Sequence, residues 1–166
     1  MRGWLPFVLF SQSILLLTAL SCPAVSGGID LTFEAARRGD VEVQHAIETL
    51  FDAAKDGDAE ARLGIGILYA KDGKFGEAAG WFTQSAEQGN ATAQYILGTM
   101  YFHGNDIPQD SLRAYFWSSL SAMQGTGEDQ DRSTALKKKA ETLLSPEQRM
   151  QAEQMIREWE AKHPDK

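Results

Sequence analysis

Three histidines, one cysteine and 23 acidic residues are the groups in this 166-residue chain from which a reactive centre could be built. A metal site needs several ligands at fixed geometry. His45 has Glu42 and Glu48 at helical spacing, which reads as a surface ion pair. His103 precedes a loop with Asp106 and Asp110 but lacks a further ligand. His163 falls at a helix end, where a cation complements the helix dipole. Cys22 stands alone, so neither an intrachain disulfide nor a multi-cysteine metal site can form. No Gly-x-Ser-x-Gly elbow, phosphate loop or His-Glu-x-x-His pair is present. Asp52, Asp56 and Asp58 gather near a helix junction, with Asp58 suited to capping; Asp129 and Asp131 read as solvated charge. Lys137-Lys138-Lys139 is too short to outweigh a net charge of −7, which disfavours binding to nucleic-acid phosphates. Asn90-Ala91-Thr92 fits a glycosylation pattern, yet Asn90 as a helix cap is the more economical reading. No catalytic residue, metal or cofactor is expected.

The amino end speaks to compartment. Met1-Arg2 precedes an apolar run from Trp4 to Leu20, and Ala24-Val25-Ser26 offers small residues for signal peptidase. Residues 1–26 therefore read as a secretory signal cleaved before Gly27. The alternative is a lipoprotein signal in which Cys22 is acylated. Loss of Arg2 with the signal takes the charge from −7 to −8. A periplasmic or secreted location follows, with no membrane span in the mature chain. A composition of 10% aromatic and 23% charged residues is that of a globular chain.

An internal repeat organises the remainder. Gly57-Asp58-Ala59-Glu60-Ala61-Arg62 aligns with Gly89-Asn90-Ala91-Thr92-Ala93-Gln94 at an offset of 32, which also pairs Gly66 with Gly98 and Tyr69 with Tyr101. Beyond this the offset is 36, pairing Ala78 with Ala114, Trp81 with Trp117 and Gly89 with Gly125. The four extra residues fall between Gly104 and Asp110, a stretch rich in turn formers. Asp58 and Asn90 are good N-caps, and the stretches after them have helical periodicity. Gly66 and Gly98 lie inside helices, at a cost of about 1 kcal/mol each relative to Ala, which predicts a close approach by a neighbouring helix. The Trp and Tyr positions read as core.

The segment from Ala91 to Trp117, with Ile107-Pro-Gln-Asp110 and Arg113-Ala-Tyr-Phe-Trp117, resembles a Sel1-like repeat, a tetratricopeptide-like helix pair. The copy from Asp58 to Gly89 resembles it less closely and turns at Asp72-Gly73-Lys74. A degenerate earlier unit is visible in Phe33 to Asp40 followed by a helix from Val41 to Lys55. After Gly125 the repeat fades into a polar helix from Glu128 to Leu144, with Ala135, Leu136, Ala140, Leu143 and Leu144 apolar. Ser145-Pro146-Glu147-Gln148 opens a last helix running to Lys162, with Ala152, Met155, Ile156 and Trp159 inward, an ending also similar to that family's. The resemblance implies an all-α, short right-handed α/α-solenoid of about four antiparallel helix pairs. Its parts are a degenerate pair at 27–57, two repeats at 58–125, and a capping pair with tail at 126–166.

Such a solenoid presents a concave face built from the first helix of each pair. The resemblance to the tetratricopeptide class places Leu63, Ile67 and Lys71 there, then Tyr95, Thr99 and His103, with Glu34 and Arg38 from the first unit. Gly66, Tyr69, Trp81, Gly98, Tyr101 and Trp117 are its structural positions. Gly64 and Ile96 stand where some relatives carry the Asn of a carboxylate clamp. Some cysteine-rich relatives are associated with β-lactams, but the stapling cysteine pair is missing. The expected function is a non-enzymatic, exported module that binds an unidentified protein or peptide. The alternatives are an immunity protein against a periplasm-acting effector and, more weakly, a cell-wall or β-lactam hydrolase.

Overall fold

Each repeat junction is built from a capped helix start that follows a glycine turn. Asp58 accepts a hydrogen bond from the Ala61 amide at 2.8 Å and Asn90 from the Ala93 amide at 2.9 Å. Gly57 and Gly89, one residue earlier, have φ of 101° and 87°, left-handed values that L side chains rarely adopt. The helices so started are joined through turns that also correspond. Lys74 N donates to Tyr69 O at 2.9 Å, and Asp110 N to Tyr101 O at 3.0 Å. The change of offset thus falls between two bonded positions, and the helix register is the same on either side.

The computed structural model describes residues 41–104 and 107–164. Its helices are α1 (Val41–Lys55), α2 (Ala59–Lys71), α3 (Phe75–Glu87), α4 (Ala91–His103), α5 (Ser111–Gln124), α6 (Gly127–Glu141) and α7 (Pro146–Lys162). No strand occurs among the described residues. The signal segment, Cys22, and the unit containing Glu34 and Arg38 lie outside them. The chain divides into two compact units, residues 1–48 and 49–166, with the division inside α1. In the first, His45 and Glu48 are exposed. The second holds the repeats.

Short connections make α2 with α3, and α4 with α5, antiparallel pairs in close contact. The glycines permit that contact. A Cβ on Gly66 would sit 2.6 Å from the Phe82 ring, and one on Gly98 would sit 3.2 Å from both Leu136 and the Ser118 amide. Across each pair a serine ties the second helix to the start of the first: Ser85 Oγ donates to Ala59 O at 2.6 Å, and Ser121 Oγ to Ala91 O at 2.8 Å. The core runs through Leu63, Phe82, Leu97, Phe116, Trp117, Leu120 and Trp159.

Helix α5 is buried at every residue from Ala114 to Ser121. A helix buried all round needs neighbours on all sides. They are α4, α6 and α7. Ser118 and Ser119 bond back to Tyr115 O, and Ser121 meets Ser133 at 2.8 Å, so these interior hydroxyls are satisfied.

The carboxyl end departs from the expected antiparallel capping pair. Helix α7 seats along α5 and not along α6. The cause is apolar demand: Tyr115 of α5 joins Ala152 and Ile156, and Phe116 shares a core with Trp159, whereas the outer face of α6 is charged. Ala135 is exposed and Leu143 is 52% exposed, so neither is core. Ser145 caps α7 in a complete capping box with Gln148.

Candidate functional site

Helices α2 and α4 carry the residues placed on the concave face, and the structure separates them. Leu63 is only 8% exposed and belongs to the central core, so it is withdrawn from the surface set. A large aliphatic side chain at that register is drawn between the helix pairs. Ile67 is half-buried and packs on the same core; Tyr95 and Thr99 are half-buried as well. The Thr99 hydroxyl donates to Tyr95 O at 3.0 Å. Lys71 and His103 are exposed at the carboxyl ends of their helices, and the His103 ring meets Phe102 edge-on at 5.1 Å.

The structural positions behave as core. Gly66, Gly98 and Trp117 are buried, while Tyr69, Trp81 and Tyr101 are half-buried against it. Trp81 meets Phe51 edge-on at 6.0 Å.

One device recurs that inspection of the sequence missed. Arg62 Nε donates to Ala54 O at 3.0 Å, and Gln94 Nε2 to Ala86 O at 3.1 Å. Gln130 Nε2 donates to Ala122 O at 3.2 Å. Every bond spans eight residues, and the donors lie 32 and 36 apart, the two repeat offsets. Helix α6 is therefore the first helix of a third unit, in register with α2 and α4. Its apolar positions have largely turned polar, so the repeat fades in sequence while the backbone continues it. The signal was present in Gln130, which matches Gln94 at the offset of 36. By the same register Asp131, Ala135 and Lys139, all exposed, are the α6 counterparts of Tyr95, Thr99 and His103.

Among the described residues no group of three or more His, Cys, Asp or Glu side chains is placed to hold a metal ion. The Asn90 side chain is used twice, accepting from Ala93 N and donating to Glu60 at 2.7 Å, which accounts for it as a cap. His163 ends α7, stacked on Trp159 with ring centroids 4.1 Å apart. At the α5–α6–α7 junction Arg149 pairs with Glu141 at 2.9 Å and Glu153 at 3.2 Å. Burial, aided by those two carboxylates, raises the Tyr115 phenol above its ordinary value. A shallow open cleft there is lined by Leu144, Pro146 and Met150 among others. No helix among the described residues is long and apolar enough to cross a membrane.

Comparison with known proteins agrees with this architecture. The Sel1 repeat model matches residues 57–90 and 91–126. Among solved structures, the chain is similar to c5321, a protective antigen present in uropathogenic Escherichia coli strains displaying an SLR fold. The TM-score is 0.61 at 26% identity, over 81% of this chain. The match spans 29% of that antigen's length. No curated protein matches the chain.

Proposed function

We propose that this chain, which carries two Sel1 repeats, is a non-enzymatic module that binds a partner protein on the face shared by α2, α4 and α6. The observation that carries the reading is the common register of those three helices, set by the Arg62, Gln94 and Gln130 bonds. Helices held in register present equivalent side chains at a fixed repeat, which is how solenoids build extended binding surfaces. Ile67, Lys71, Tyr95, Thr99 and His103, which the tetratricopeptide resemblance assigns to that face, are all outside the fully buried core. The mixture of aliphatic, aromatic and polar groups suits a polypeptide. Export is proposed on the composition of residues 1–26 alone, with cleavage before Gly27 or lipidation at Cys22 distinguished by the mass of the mature protein.

A photocrosslinking amino acid at Thr99, compared with one at Gln84 on the exposed side of α3, tests the face. Adducts formed in cells from position 99 and not from position 84 are the expected outcome. Equal adducts from both positions, or adducts from 84 alone, remove it.

A further inference from the structure

Helix α6 starts a third unit, but the helix that follows it seats on α5, so α6 keeps one side without a paired second helix. The inner side buries Ser133, Leu136 and Ala140. The outer side exposes a stripe at helical spacing through Glu128, Asp131, Ala135, Lys138 and Lys139. The first half of that stripe is acidic, the second half is basic, and Ala135 stands between them. We propose that the stripe pairs two copies of this chain, α6 against α6, antiparallel about a two-fold axis at Ala135. This goes beyond the binding face proposed above by giving its α6 edge an occupant of its own.

Charge complementarity selects the second copy. In a two-fold interface residue i meets j while j meets i, so the surface must complement itself. A helix face divided into an acidic and a basic half does so when two copies run antiparallel. Asp131 lies about 6 Å along the axis to one side of Ala135, and Lys139 about 6 Å to the other. Antiparallel pairing brings Asp131 level with Lys138 and Lys139 of the second copy, and the reverse. Arg132 is held by Glu128 at 3.2 Å and Asp129 at 3.7 Å, so the first half stays net acidic despite that cation. Among the described residues no ion pair engages Asp131, Lys138 or Lys139. The helix dipole does not account for Asp131, because its effect fades beyond the first turn, where Glu128 and Asp129 already stand.

The centre of the stripe suits close approach. Packed helix axes lie about 8–10 Å apart according to the side chains between them, and a methyl group at Ala135 favours the short end. Lys137, the first lysine of the run, is turned onto the Tyr115 ring at 5.5 Å and takes no part. Two chains of net charge −7 repel, so a second copy is admitted only where the signs are locally matched. One helix-on-helix contact covers less than the roughly 1,200 Å² of a stable interface, and the association is accordingly weak.

Sedimentation velocity of the purified chain is expected to show weak, concentration-dependent dimerisation. K138E/K139E and E128K/D131K should each weaken it about tenfold, and an equal mixture of the two should associate at least as well as wild type. E128K/D131K also moves the net charge toward zero, so a gain in its self-association would reveal a net-charge effect and overturn the pairing. K55E/K162E, which changes the net charge as much as K138E/K139E but lies on α1 and α7, should have far less effect. For the register, Ala135→Cys should form a disulfide-linked dimer on oxidation, because it meets its own counterpart. Thr142→Cys, about 20 Å from its counterpart, should not. The parent chain shows any dimer made through Cys22. Circular dichroism identifies variants that fail to fold; should E128K/D131K be one, D131K mixed with K138E/K139E carries the same test. A chain that stays monomeric at high concentration, a mixture that does not associate, or equal disulfide yields at 135 and 142 overturns the inference. So does a monomeric chain that crosslinks in cells from position 135 to another protein, because the occupant is then that partner.

Discussion

Gly66→Ala is the sharpest probe of how the first helix pair is packed. The added methyl would lie 2.6 Å from Cδ1 and Cε1 of Phe82, about 1 Å inside the optimal separation for carbon atoms. Phe82 is 2% exposed, so its ring has no open space to move into. Overpacking of this kind costs about 1–3 kcal/mol. Replacing a mid-helix glycine by alanine returns about 1 kcal/mol. The net expectation is a loss of up to about 2 kcal/mol. Gly80 supplies the control, because it is exposed in α3 and a Cβ there meets nothing within 4 Å. Gly80→Ala should stabilise by about 1 kcal/mol. The same chemical change thus has opposite signs at positions 66 and 80, separated by about 1–3 kcal/mol. Urea unfolding followed by circular dichroism resolves such a difference through the transition midpoint. Phe82→Leu, which shortens the offending ring, should cost less in the Gly66→Ala background than in the wild type. If Gly66→Ala unfolds at or above the wild-type midpoint, the account of close helix approach is refuted.

Other consequences are open to the same assay. Asn90→Ala removes the cap on Ala93 N and the bond to Glu60, and should cost about 1–2 kcal/mol; an unchanged midpoint would show the cap to be dispensable. Gln94 is fully buried with its Oε1 unpaired, and the Ala86 carbonyl it bonds also accepts from Gly89 N. Gln94→Leu should therefore stay within about 1 kcal/mol of wild type, whereas Gln94→Glu should lose about 3 kcal/mol at neutral pH. Burial would raise the new carboxyl's folded pKa above its unfolded value of about 4.3, so the Gln94→Glu deficit should shrink as pH falls toward 4. A deficit independent of pH would contradict the burial argument. For Tyr115 the folded pKa is already raised, so its contribution is intact below about pH 10 and is lost as pH rises further. Midpoints between pH 9 and 11 should fall more steeply for wild type than for Tyr115→Phe, and parallel slopes would sink that assignment.

The two complete repeats were legible because their information is local. Asp58, Asn90 and Ser145 are capping residues at the starts of helices, and all three cap as read. Gly66 and Gly98 announced close packing because glycine inside a helix is costly without it. The third unit was hidden because its helix keeps the backbone role and drops the apolar pattern. Ser133 stands where α4 has Leu97, and the hydroxyl is buried against Ser121 rather than exposed. Leu63 misled because a face assigned by register does not say how deeply each level is covered.

By itself the sequence determined the helices, their caps, the repeat offsets and the absence of any recognisable catalytic motif, since each is written in neighbouring residues or in a fixed spacing. The tertiary structure decided the rest. It enclosed α5 on all sides, moved α7 from a capping pair onto α5, and buried Leu63. It also carried the register into α6 through the Gln130 bond. These outcomes depend on which apolar surfaces compete for cover and which carbonyls lie within reach, and both are properties of helices already packed together.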